Sequence, residues 1–158
     1  MEENVHFLYP AALFASKTPH LVTTILGSCV AVCVYDPVIK VGGINHYMLP
    51  LWNGQGLASP KYGNIAIERL LEKMLSLGCS KNNLQAKVFG GGEVIQTSVT
   101  QFNIGARNIK LAMEMLDELK IPIIGQSVGG KLGRKILFNT DTFEVKQKYI
   151  QKSIIGES

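Results

Sequence analysis

The chain has 158 residues and a formal net charge of +4, and its composition is 46% hydrophobic and 18% charged. This length and this balance predict one globular domain over residues 1–158 and exclude a disordered chain. The positive charge does not form the dense basic stripe with interleaved aromatics that nucleic-acid-binding proteins show, so we expect no nucleic-acid partner.

The start of the chain and its cysteines predict a cytoplasmic protein. Residues 1–7 lack the basic and apolar regions of a secretory signal, and no apolar run approaches the ~18–20 residues that cross a bilayer. The three cysteines, an odd number, favour reduced thiols over a disulfide framework. Because neither the cysteines nor the histidines have the spacing of a zinc site, we expect no metal. The lack of a long apolar run predicts no membrane insertion.

The first half of the chain is rich in strand patterns. Apolar or β-branched runs predict strands over 5–9, 21–26, 29–35 and 41–48, and the mixed stretch 11–20 predicts a loop. The run 29–35 is apolar at both its odd-numbered and its even-numbered positions, which indicates a strand buried on both faces. The turn residues at 36–40 make this strand and the next one neighbours in a sheet.

The second half combines helices with strands. After a polar, glycine-rich loop at 51–61, apolar residues at helical spacing predict helices over 62–77 and 103–119. Strands are predicted over 86–89, 122–128, 134–138 and 143–149, the last three as antiparallel neighbours joined by turns. Asn103 or Thr100 is the candidate cap of the second helix. This order predicts an α+β fold, with helices packed on a mostly antiparallel β-sheet or sandwich.

Cys29 and His46 are the residues best suited to chemistry. Cys29 directly follows a Gly27-Ser28 turn, where a side chain at a strand end can reach solvent, and His46 lies in the next predicted strand. A thiolate is a nucleophile, and a neighbouring imidazole is the usual means of generating it at neutral pH. The pair is a candidate cysteine hydrolase or amidase site. Taken singly, either residue is more often a buried structural side chain.

Two further features leave alternatives open. His20, in the predicted loop, is either a second imidazole near the cysteine or an exposed loop residue. The run from Gly90 to Gly92 follows a strand, as phosphate-binding loops do, but no Lys-Ser/Thr pair and no GxGxxG pattern accompanies it. A tight turn near the site is the favoured interpretation of these glycines.

Five sequence blocks together resemble the chemoreceptor glutamine deamidases of bacterial and archaeal chemotaxis, the CheD family. The blocks are LGSCVAVCVYDP at 26–37, GINHYMLP at 43–50, KVFGG at 87–91, IGARN at 104–108 and GGKLGRKILFNT at 129–140. They follow the family order and extend the resemblance from about residue 5 to 150. The chain departs from the family pattern at Phe143, where a glycine is expected, and at Gly92, where a small non-glycine residue is expected.

The resemblance implies a catalytic triad of Cys29, His46 and Thr23 that needs no metal or organic cofactor. Thr24 is adjacent, and a register slip of one residue would exchange the two threonines, so the choice between them stays open. The family fold is similar to that of bacterial toxins that deamidate glutamines of host GTPases.

The function implied by the resemblance is that of a hydrolase in chemotaxis adaptation, a protein-glutamine glutaminase. His46 is expected to take the Cys29 proton, and the resulting ion pair to keep the thiolate ready to attack a glutamine side chain and form a thioester. The backbone N–H groups of Ser28 and Cys29 are the nearest candidates for the oxyanion site. The implied partners are the cytoplasmic helical bundle of methyl-accepting chemotaxis receptors and a CheC-type phosphatase. The alternative is a non-catalytic regulatory module that binds receptor or phosphatase.

Overall fold

Strands and helices are both present in the computed structural model, which describes residues 4–93 and 103–150. The strands are β1 (Val5–Phe7), β2 (Leu13–Ser16), β3 (Leu21–Leu26), β4 (Val30–Asp36), β5 (Val41–Asn45), β6 (Gln85–Gly90), β7 (Ile123–Val128), β8 (Gly133–Asn139) and β9 (Val145–Ile150). The α-helices are α1 (Gly63–Ser76) and α2 (Ile104–Glu118), and a 3₁₀ turn spans Lys81–Asn83. In the described part of the chain, no helix combines the length and the apolar character needed to cross a membrane.

The strands form two sheets that pack face to face. One sheet has the order β1-β3-β8-β9 and the other the order β2-β5-β4-β6-β7. Most neighbouring pairs are antiparallel, while β1 with β3 and β6 with β7 are parallel. The predicted α+β class with mostly antiparallel sheets is confirmed. The likeness to the toxin-type deamidase fold stays a prediction.

Strand β4 lies at the centre because both of its faces are apolar. All of its residues are buried. Its valines at the even positions pack in the core under α1 and α2, and its odd-numbered residues through Tyr35 pack in a second core between the two sheets. The five-stranded sheet is therefore the middle layer, between the helices and the four-stranded sheet.

Two predictions about strands are wrong. The stretch 11–20, predicted as a loop, contains β2, which pairs antiparallel with β5. Its four residues are too few to show a period, so only the cross-strand pairing reveals the strand. β7 was expected beside β8 but pairs in parallel with β6 in the other sheet. A parallel partner is available because α2 carries the chain back across the sheet between β6 and β7.

Helix α2 begins without the predicted side-chain cap. Asn103 occupies the cap position with a left-handed backbone, φ 68°, and its side chain makes no capping hydrogen bond. Instead, the Glu93 carboxylate accepts a hydrogen bond from the Ala106 N–H at 3.2 Å. A negative charge there also interacts favourably with the helix dipole. The other predicted cap, Thr100, lies outside the described residues.

The backbone at Phe143 explains why a glycine suits this position. Its φ is 70°, a left-handed conformation that glycine adopts easily and bulky residues rarely do. The ring is buried and stacks on Tyr35, with ring centroids 4.9 Å apart. On the same ring, the Lys87 Nζ lies 4.5 Å from the centroid. Packing around the ring therefore compensates for an unfavourable backbone.

Candidate active site

Cys29 lies in the turn between β3 and β4, and the glycine loop after β6 packs against that turn. The Gly91 N–H donates to the Cys29 carbonyl oxygen at 2.8 Å, and the Gly92 N–H donates to the Gly27 carbonyl oxygen at 2.9 Å. At Gly90 the φ is 105°, and a Cβ there would overlap the Cys29 carbonyl oxygen. Only glycine permits this approach. The glycines thus form the tight turn near the site that the sequence favoured.

The strand register places His46 on the same face of the sheet as Cys29. Antiparallel pairing of β4 with β5 is extended by a bridge between Val30 and Tyr47. Cys29 precedes Val30 and His46 precedes Tyr47, and side chains alternate along a strand. Both therefore point away from the helices, into the core between the sheets. Because Cys29 and His46 are diagonal cross-strand neighbours, the thiol and the imidazole lie near each other on this face.

Thr24 fixes which nitrogen of the His46 ring carries the proton. The Thr24 Oγ1 lies 2.7 Å from His46 Nδ1 and 2.7 Å from the Leu8 carbonyl oxygen. A carbonyl oxygen can only accept, so the single hydroxyl proton goes to Leu8 and the hydroxyl oxygen accepts from Nδ1–H. The neutral ring is therefore unprotonated at Nε2. Nε2 is buried, with no hydrogen-bond partner among the described residues, which leaves it available as a base.

The predicted Thr23 does not hold this position. Alternate residues of β3 point to opposite faces, and Thr24 is fully buried between the sheets. Thr23 points to the outer face of the four-stranded sheet, where Leu137 is its cross-strand partner. The partner of His46 is thus corrected to Thr24, by the one-residue register step that the sequence left open.

Burial keeps the thiol and the imidazole neutral. It raises the pKa of Cys29 to about 11, with a smaller opposing effect from a hydrogen bond of the Cys29 backbone. It lowers the pKa of His46 to about 4. At neutral pH the resting pair is a thiol and a neutral imidazole, in contrast to the expected ion pair.

The backbone N–H groups of Ser28 and Cys29 are not used in hydrogen bonds to other residues of the described part of the chain. Within residues 4–93 and 103–150, neither group donates a hydrogen bond to another residue. Both residues are partly exposed, as a site open to a substrate requires. This geometry is compatible with the predicted oxyanion role, which stays a prediction.

Asn108, which no sequence pattern marks as functional, links the Cys29 turn to the segment after His46. It is fully buried in α2, and its Nδ2 donates to the carbonyl oxygens of Ser28 and Met48, each at 3.0 Å. Its backbone carbonyl accepts a hydrogen bond from the Tyr47 hydroxyl at 2.6 Å. The sequence signal that could have found Asn108 is an amide on the apolar face of a helix, because buried amides require partners.

The other candidate groups have different surroundings. The His20 Nδ1 lies 2.8 Å from the Thr18 carbonyl oxygen, and its ring meets the Phe14 ring edge to face at 4.9 Å. His20 therefore packs beside β2 and takes no part in the hydrogen bond between Thr24 and His46. Residues 4–93 and 103–150 contain no group of three His, Cys, Asp or Glu side chains that could hold a metal ion.

Comparison with known proteins identifies a matching family and several similar proteins. Residues 48–149 match the family described as CheD chemotactic sensory transduction. A Trichlorobacter lovleyi protein named "Probable chemoreceptor glutamine deamidase CheD" is 53% identical over 87% of this chain and 85% of its own length. Proteins of the same name from Sulfurimonas denitrificans and Rhodospirillum rubrum are 43% and 40% identical, over 97% and 94% of this chain and 99% and 84% of their own lengths.

The fold and the site define a two-sheet α+β protein with cysteine, histidine and threonine gathered between the sheets. With the family match and these relatives extending over most of the sequence, the chain belongs to the CheD family. Among solved structures, the Bacillus licheniformis hypothetical protein YfiH is similar at a TM-score of 0.49 and 15% identity, over 73% of this chain and 49% of that chain. A likeness at that level supports no argument about fold or function.

Proposed function

We propose that this protein is a chemoreceptor glutamine deamidase that acts in the cytoplasm on the helical bundle of methyl-accepting chemotaxis receptors. The observation that carries the proposal is the Thr24–His46 hydrogen bond, which leaves Nε2 as a base on the face that carries Cys29. The names of its CheD relatives supply the substrate class. Each turnover converts a neutral amide into a carboxylate, which changes the electrostatics between receptor helices and creates a methylatable side chain.

The first half of the proposed reaction forms a thioester. The Cys29 sulfur attacks the side-chain carboxamide carbon of a glutamine while its proton passes to His46 Nε2. The amide oxygen becomes an oxyanion and accepts hydrogen bonds from the Ser28 and Cys29 N–H groups. The imidazolium then donates this proton to the amide nitrogen of the intermediate, the C–N bond breaks, and ammonia leaves.

The second half hydrolyses the thioester. His46 Nε2 takes a proton from a water molecule as the water oxygen attacks the thioester carbon. The C–S bond breaks and the proton returns to the Cys29 sulfur, leaving a glutamate side chain on the receptor. Thr24 holds the ring in one orientation and one tautomer through both halves, the role of the third group in a triad. The overall reaction consumes one water molecule and releases one ammonia for each glutamine.

Ammonia release tests this proposal. The purified protein is incubated with a cytoplasmic chemoreceptor fragment, in parallel with Cys29→Ala and His46→Ala variants. We expect ammonia from the unaltered protein alone. If all three proteins release none while the unaltered protein still binds the fragment, the chain is a regulatory binding module and the catalytic proposal fails.

A CheC-type phosphatase is the second proposed partner, as the family resemblance implies. Binding is measured by titrating such a phosphatase into the protein and following the heat released. If receptor fragment and phosphatase use one face, each should displace the other. Simultaneous binding of both would contradict a shared face, and no binding of phosphatase would remove it as a partner.

A further inference from the structure

We infer that Asn108 is a positioning residue that aims the Cys29 backbone N–H at the substrate oxyanion. The inference rests on the proposed deamidase function and adds a residue to it. Asn108 lies on α2, on the opposite side of the five-stranded sheet from the core that holds His46. It therefore acts through the backbone and does not touch the reacting atoms.

The link between Asn108 and the oxyanion donor is a single peptide plane. The Ser28 carbonyl and the Cys29 N–H belong to the same trans peptide, so they point in opposite directions. Asn108 Nδ2 holds the Ser28 carbonyl at 3.0 Å. Fixing the carbonyl on the helix side therefore fixes the Cys29 N–H on the other side, and rotation of this peptide would turn the donor away.

The same amide group also ties the turn to the histidine strand. Its second hydrogen bond goes to the carbonyl oxygen of Met48, two residues beyond His46, at 3.0 Å. One NH₂ group thus sets the spacing between the segment that carries the nucleophile and the segment that carries the base. Both partners are carbonyl oxygens, which only accept, so the Nδ2 end of the side chain must face them.

Helix α2 is itself seated firmly enough to serve as the reference. The Tyr47 hydroxyl donates to the Asn108 carbonyl oxygen at 2.6 Å, where the first turns of α2 meet the strands. At Gly105, a Cβ would overlap the Gly91 carbonyl oxygen, so the helix packs directly on the glycine loop. That loop in turn holds the Cys29 carbonyl. The turn is therefore fixed from two sides.

The test separates reactions that form an oxyanion from a reaction that does not. Deamidation of the receptor fragment needs the oxyanion donor, whereas alkylation of the Cys29 sulfur by iodoacetamide displaces iodide and forms none. For Asn108→Ala we expect kcat for ammonia release to fall about 10- to 100-fold. This loss is no larger than the ~10²–10³ for removing an oxyanion donor outright, because the variant misaligns the donor without removing it. We expect KM and the alkylation rate of Cys29 to change by less than about twofold, since neither depends on the oxyanion donor.

Asn139→Ala is the matched control, because Asn139, the last residue of β8, is a partly buried asparagine whose side chain holds the turn that follows. There the Asn139 Oδ1 accepts from the Asp141 N–H at 2.9 Å. We expect its kcat to match that of the unaltered protein. If Asn108→Ala does not fold, Asn108→Leu keeps most of the side-chain volume and offers no donor to the Ser28 carbonyl. The same loss of kcat is expected from it.

Two results overturn the inference. An unchanged kcat in a folded Asn108 variant would show that the peptide holds its orientation without Asn108. An equal fall in deamidation and in Cys29 alkylation would show general disruption of the turn and not loss of oxyanion positioning. If the unaltered protein releases no ammonia, it is the proposed function that fails, and this inference fails with it.

Discussion

At the scale of single residues, one hydroxyl proton determines the chemistry of His46. Thr24 makes two hydrogen bonds of 2.7 Å, to a carbonyl oxygen and to His46 Nδ1. Because the proton is committed to the carbonyl, the ring nitrogen must be the second donor. A threonine can therefore orient a catalytic imidazole without a charge, unlike the aspartate of serine proteases.

The two adjacent threonines allow a matched test of this geometry. Valine has the shape of threonine without the hydroxyl, so Thr24→Val removes the hydrogen bond to His46 and preserves the volume. We expect a loss in kcat of about 100-fold, a part of the ~10²–10⁴ that a positioned base contributes. Thr23→Val should leave kcat within about twofold, because Thr23 lies on the face of its sheet that points away from His46. Kinetics of ammonia release compare the two, and a larger loss for Thr23→Val would contradict the assigned register.

The acidity of the Cys29 thiol supplies the second prediction at this scale. Burial raises its pKa to about 11, so the alkylation rate in the free protein should be low at pH 7 and still rising at pH 9. Peptide mapping by mass spectrometry separates Cys29 from Cys33 and Cys79. His46→Ala should leave this profile almost unchanged, because the resting imidazole is neutral. A midpoint below the ~8.5 of a free thiol, lost in His46→Ala, would instead establish a resting ion pair.

At the scale of elements, the contact between the glycine loop and the Cys29 turn is close enough to exclude any side chain. Gly90 and Gly54 both have a positive φ, 105° and 91°, but a Cβ at Gly90 would overlap Cys29 whereas one at Gly54 would meet nothing within 4 Å. Comparing substitutions at these two glycines therefore distinguishes the cost of backbone strain from the cost of steric overlap at the site.

Alanine at the two glycines should have unequal effects. We expect Gly54→Ala to lower the free energy of unfolding by about 1–2 kcal/mol, from the left-handed backbone alone. Gly90→Ala should lower it by about 1–3 kcal/mol more, from overlap, and should also reduce kcat because the turn is displaced. Urea unfolding and ammonia release are the measurements. Equal losses at both glycines would contradict the close packing of loop and turn.

Local pattern pointed to Cys29 and His46, which the strand register places on one face of the sheet, but it did not select the threonine that contacts His46. Cys29 directly follows a turn at the start of one predicted strand, and His46 lies in the next predicted strand. Both positions can be recognised without tertiary information. In β3, however, Leu21 and Ile25 alternate with Val22 and Leu26, so both faces are apolar and the inward face depends on pairing with β8. The hydrogen bonds of Asn108 likewise join elements far apart in sequence, which no local period predicts.

At the scale of the whole molecule, the positions of most elements follow from the sequence, while their partners do not. Strand and helix periods predict both α-helices and every described strand except β2, because side chains alternate along strands and recur every 3.6 residues on helices. The apolar run of β7 fits either sheet, and only the packing of α2 across the strands selects β6 as its partner. The division of the chain into one domain over residues 1–158 stays a prediction.

The buried imidazole makes stability depend on pH. The pKa of His46 is lowered by burial from 6.5 to about 4, so between these values the unfolded chain binds a proton that the folded protein does not. The free energy of unfolding should therefore be highest above pH 6.5 from this group and fall as the pH drops toward 4, by up to roughly 3 kcal/mol. Urea unfolding across this range should show a shallower fall in His46→Gln. Identical slopes in both proteins would contradict a neutral, buried His46.

The most direct measurement of the central claim is peptide mass mapping of a chemoreceptor cytoplasmic fragment after incubation with this protein, with Cys29→Ala and with Thr24→Val. We predict conversion of particular glutamines to glutamate by the unaltered protein, the same positions at a much lower rate with Thr24→Val, and none with Cys29→Ala. That result would establish the enzyme, its nucleophile and its substrate positions together. Conversion that persists in Cys29→Ala, or its absence in all three samples, would contradict the account.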